Sequence, residues 1–170
     1  MRLSDAFGTE ISHRENLKND IMFNLRCCIP CIVQSYNAEH NTVECQPVIK
    51  ERIINQNEEI EYMNLPLLVD VPVAYPQSSS YGVYFPLQRG DECLVVFSDL
   101  SIDNFWVSGD VENPVEERRH DLSDGIAIPC CLSLPKRKIG YSSGLTLYSS
   151  GDIYLAGSFG VKKASMLMGG

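Results

Sequence analysis

The 170-residue chain is long enough for one domain with an appendage, and its 44% hydrophobic content is enough for a real core. Its 22 carboxylates against 14 Lys and Arg give a formal charge of -8 with no basic stripe, so nucleic acid, whose phosphates demand a positive field, is not an expected partner. No apolar run approaches 18 residues and no basic-then-apolar leader occurs, so neither a membrane span nor a secretory signal is expected.

Residues 1–26 predict the one convincing helix. Leu17, Ile21 and Leu25 step by four, and Ser12 followed by Glu15 has the spacing of a capping box. The stripe is short and precedes the first strand, so the helix is expected against a sheet or against a neighbouring subunit.

From residue 27 the pattern is β. "CIVQSYNAEHNTVECQPVI" reads as two strands joined by the polar turn "NAEHN", with Val43, Cys45 and Pro47 alternating against Thr42, Glu44 and Gln46. "KERIINQNEEIEYMN" reads as a hairpin or irregular excursion anchored by Ile53, Ile54 and Ile60. "LPLLVDVPVAYP" contains two interior prolines, which cannot donate to a ladder, and is therefore an edge or extended segment. "VYFPLQRGDECLVVFS" gives a short strand, a turn and a buried strand over 93–97. "DLSIDNFWVSGDVENPVEERRHDLSDG" is loop-rich, and "IAIPCCLSL" closes the body. The expected fold is mainly β, a small OB-type barrel over 27–134 after the helical segment 1–26, then a linker at 135–143 and a tail at 144–170.

The motifs carry little chemistry. Cys28 and Cys31 have the spacing of half a zinc site, but the adjacent Cys130 and Cys131 point to opposite faces of a strand and make a poor second half. The seven cysteines are better read as free thiols, several of them buried. "GYSSG" at 140–144 matches G-x-S-x-G, yet no histidine follows His120 to complete a triad. "RGD" at 89–91 reads as a turn. Arg118, Arg119, His120, Asp121 and Asp124 form either an ion network or a solvated loop. Phe105 and Trp106 suit a lid or a subunit contact. No catalytic group, cofactor or metal site is expected.

In the tail, Gly144-Leu145, Asp152-Ile153 and Gly160-Val161 recur every eight residues, with Leu147 and Leu155 at the same interval. Stacked rungs would place these aliphatics in a continuous interior, which one short tail cannot supply but three intertwined tails can. A plain hairpin around "SSGD" satisfies the same spacing.

"LPLLVDVPVAYP", "FPLQRGDECLVVFSDLSIDNFW" and "ERRHDLSDGIAI", with "PCIVQSYNAEHNTVECQPVIK" before them, together resemble the N-terminal domain family of contractile-tail bacteriophage spike proteins over about residues 25–130. The resemblance implies an OB-fold body and a homotrimer on the tail axis, in contact with tail-tube or baseplate hub proteins. It also implies a C-terminal triple-stranded β-helix lined by Leu145, Leu147, Ile153, Leu155 and Val161. Within that frame Phe97 is core, Asp91, Asp99 and Asp103 fix turns, and Trp106 with Phe105 is core or subunit contact. The implied protein is made in the host cytoplasm and works at the tail tip of the virion, opening the host envelope mechanically. The tail lacks the long β-helix and the H-x-H of larger spikes, so a plug, or an adaptor carrying a separate tip protein, is equally implied. A monomeric OB-type module binding carbohydrate or protein is the alternative reading.

Overall fold

The alternation over Thr42–Pro47 becomes β2, whose Val43, Cys45 and Pro47 turn inward while Glu44 and Gln46 stay partly exposed; Thr42, expected on the wet face, is buried. In the computed structural model the described residues are 12–19, 21–22, 25–136, 149, 151–157 and 160–163. They fall into two units, 1–137 and 138–170.

The first unit is built on a five-stranded antiparallel sheet in the order β5-β2-β1-β6-β7. Its strands are β1 (Cys28–Asn37), β2 (Thr42–Pro47), β5 (Leu68–Pro72), β6 (Glu92–Phe97) and β7 (Gly125–Pro129). The edge strands β5 and β7 approach at one point, where Val73 bridges Ala127 in parallel and the Ala74 amide donates to the Ala127 carbonyl at 2.8 Å. The sheet is thus a curled half-barrel of OB-like topology. The proline-containing strand β5 lies at the edge, as its missing donors demand. Shifts of register at Val33/Ser35 and Val43/Cys45 mark bulges on both sides of β2, the sort of local twist that curls a sheet.

The core fills the concave face: Ile29, Cys31, Val33, Val43, Cys45, Leu68, Val71, Cys93, Val95, Phe97 and Ala127, closed by Leu65, Val73, Tyr75 and Leu87 from the loops. Among these, Cys31, Cys45 and Cys93 lie on adjacent strands, with Cys31 directly opposite Cys93. Their mutual contact and burial push the Cys45 thiol up to about 12 and the Cys93 thiol still higher. Cys28, by contrast, is exposed. Residues three apart on a strand face opposite ways, so Cys28 and Cys31 cannot serve one tetrahedral ion.

Three features bear on the expectations. The hairpin of β3 (Glu51–Ile54) and β4 (Ile60–Met63) forms, but Ile54 and Ile60 are exposed and do not anchor it to the core. Residues 12–19 and 21–22 are helical (α1), with Leu17, Ile21, Met22 and Leu25 all exposed, so of the two expected placements the helix does not take the one against its own sheet. Finally, a short helix α2 (Asp103–Ser108) stands in the stretch expected as loop.

In the second unit β8 (Tyr154–Gly157) pairs antiparallel with β9 (Gly160–Lys163), Val161 opposite Ala156 and Leu155 opposite Lys162. The pairing centres on 157–160 rather than on Ser149–Asp152. Of the octad positions, Ile153 is half-buried just before β8, while Leu145 and Leu147 lie outside the described residues, as does the "GYSSG" segment.

Candidate functional site

The described residues of the first unit bring the charged motif and the aromatic pair together around α2. A six-residue helix is far too short to stand alone in water, and its N-cap, Ile102, has no side chain to cap with. The missing acceptor comes from 22 residues away: the Ile102 amide donates to Asp124 Oδ1 at 3.0 Å. At the other end Gly109 adopts φ +70° and its amide donates to the Phe105 carbonyl at 2.8 Å, a left-handed cap that favours glycine.

Asp124 is wholly buried in the 3-10 turn Leu122–Asp124. Its carboxylate accepts from Arg118 Nε at 2.6 Å and Nη2 at 2.9 Å, the planar two-pronged geometry for which arginine is suited. The same guanidinium reaches Asp103 Oδ2 at 2.6 Å and Glu116 at 3.3 Å. These bonds, Asp124 first and Asp103 next, hold the Arg118 proton more tightly than usual. Asp121 caps the 3-10 turn by accepting from the Ser123 amide at 2.8 Å, which holds its carboxyl below the usual range.

Arg119 and His120 share a different carboxylate. Arg119 meets Asp99 at 3.1 Å with both side chains mostly in solvent, and His120 Nε2 is 3.4 Å from Asp99 Oδ1. His120 has φ +49°, in the left-handed region, and its amide donates to the Ser98 carbonyl at 3.2 Å.

The outcome is a clamp whose product is display. Phe97 is core, whereas Phe105 and Trp106 on α2 are 56% and 48% exposed, and neither belongs to the core. Of the turn aspartates, Asp91 Oδ2 accepts from the Gln88 amide at 2.7 Å beside Gly90 at φ +96°, so "RGD" is a turn. Among the described residues no group of three or more His, Cys, Asp or Glu side chains is arranged to hold a metal ion.

Two arrangements escaped the sequence reading. Tyr75 packs edge-on against Tyr84 and Phe85 at 5.2 and 5.1 Å, while the Tyr36 and Tyr84 hydroxyls meet at 2.8 Å, fastening the 73–87 loop across one end of the half-barrel. Glu92 accepts from the Leu132 and Ser133 amides at 2.8 Å and from the Ser133 hydroxyl, which locks the segment leaving β7 and pulls its carboxyl down to about 2. Nothing in the spacing of Tyr75, Tyr84 and Phe85 marked the first as a cluster. Nothing local signalled the second, whose partners lie some forty residues apart.

The half-barrel and its clamp span the stretch that matches a known domain. Residues 29–130, more than half of the chain, match the family described as the phage protein Gp138 N-terminal domain. The chain belongs to that family. Membership fixes a phage context and supports the general tail-spike resemblance carried by the same residues. No protein with a curated description matches the chain.

Proposed function

We propose that this protein is a homotrimeric structural component of a contractile phage tail, a central spike or hub that closes the tail tube at the baseplate. The observation that carries the reading is the phage-domain match over residues 29–130. The Val73–Ala127 bridge supports treating the half-barrel as an OB barrel whose seam is closed by β5 and β7. In that frame the bodies surround the tail axis. Leu145, Leu147, Ile153, Leu155 and Val161 of three tails are buried together in a short β-helix or plug, and Phe105 and Trp106 contact a neighbouring subunit. The Arg118–Asp124 clamp sets the angle at which α2 presents them. The side chains of Arg119, His120 and Asp121 border the same contact. No covalent step is required: sheath contraction drives the tube, and the rigid tip, alone or with a separate tip protein, parts the host envelope.

Cryo-electron microscopy of the parent particle tests this reading. Three copies of the half-barrel on the tail axis at the baseplate are expected. Density for the chain only at the periphery, or its absence from the particle, would overturn it.

A further inference from the structure

A barrel strand exposed on its outer face should alternate apolar and polar residues, and β1, β6 and β7 do not. Their register sets the outward-facing residues in three rows: Cys28, Val96 and Ile126, then Pro30, Leu94 and Ile128, then Ile32, Glu92 and Cys130. Only Glu92 in this grid is charged, and it is occupied with Leu132 and Ser133. Val96 and Ile128 remain 37% and 42% exposed, Cys28 is exposed, and the rest are half-buried. Strands apolar on both faces belong under a second layer.

The chain carries a suitable layer that it leaves exposed. Along α1, Leu17, Ile21 and Leu25 form a stripe bordered by Met22, all between 44% and 65% exposed. In this structure the helix is not packed on the strand it feeds. The Leu25 amide donates to the Ile21 carbonyl and the Cys27 carbonyl accepts from Phe97, both at 2.9 Å, and the Arg26 guanidinium between them is fixed to Glu51 at 2.8 Å.

The two surfaces also match in size. Leu17 to Leu25 rises about 12 Å along a helix about 10 Å across, and the grid runs about 13 Å along the strands and about 10 Å across three of them. We infer that α1 of one copy lies across the outer face of β1, β6 and β7 of a second copy, so that the bodies of the assembly are joined by exchanged helices. The inference rests on the self-association proposed above and names the contact that carries it. Head-to-tail exchange of this kind closes into a ring when the rotation between copies allows it.

A double-mutant cycle on the full-length chain tests the contact. Ile21→Asp and Ile128→Asp change exposed residues on opposite sides of it, and Ile128→Thr replaces the latter if far-UV circular dichroism shows a loss of fold. Subunit exchange between differently tagged assemblies is timed for the wild type, both single variants and the double variant. Each single variant is expected to exchange at least tenfold faster, and the double no faster than the faster single. Multiplied effects in the double, or unchanged exchange in either single, would overturn the helix exchange while leaving a trimer intact. A wild-type chain that never self-associates would overturn both.

Discussion

Arg118 grips the fully buried carboxylate of Asp124 through two nitrogens, while Arg119 beside it meets Asp99 in solvent. Removing one partner of a buried pair leaves the other charge uncompensated. Arg118→Met is therefore expected to destabilise the body by roughly 3–5 kcal/mol, and Arg119→Ala by less than about 1 kcal/mol. Denaturant unfolding of the two variants checks this, and equal losses would refute the division of labour.

Glu92 provides a pH signature. Its folded value of about 2 lies below the ordinary 4.5, so the lock contributes fully above about 4.5 and is lost as pH falls through about 2. Glu92→Gln should lower the melting temperature at neutral pH and flatten its fall between about 4.5 and 2. Melting curves for wild type and variant across that window should converge at the acid end.

The thiols should divide by position. Cys27, Cys28 and Cys131 are exposed, whereas Cys31, Cys45 and Cys93 are sealed in the core. A thiol reagent at neutral pH is expected to label the exposed three rapidly and the core three only after unfolding. Cys130, half-buried with its thiol pushed up by burial, should react slowly. Mass spectrometry of the labelled chain reads the order directly.

Gly125 opens β7 where no side chain fits. A Cβ there would stand 2.7 Å from Val95 Cγ1, within the core. Gly125→Ala is expected to cost about 1–3 kcal/mol through forced repacking, measured by chemical denaturation. An unchanged midpoint would show that β7 can shift away from β6.

These contrasts explain what could be read from the chain alone. The Val43 and Cys45 alternation was legible because one face of β2 is wet, and the prolines of "LPLLVDVP" announced an edge. Helix α2 was not legible, since its cap comes from Asp124, 22 residues away, and not from a neighbour. The charge cluster at 118–124 was visible as composition, but its split into a buried pair and a solvated pair depends on which carboxylate the fold brings to each arginine, Asp124 or Asp99. The apolar run "CLVVF" reads as a buried strand and "IAIPCC" only as the close of the body. Their outer face became informative only once the register of β1, β6 and β7 was fixed. The octad kept its ambiguity, because an eight-residue beat fits stacked rungs and paired strands alike.

The central claim is that the working unit contains three chains. Light scattering coupled to size exclusion, run on the full-length protein over a hundredfold dilution, tests it most directly. The account predicts a constant mass of three times the 19.0 kDa chain. A constant mass equal to one chain would contradict it.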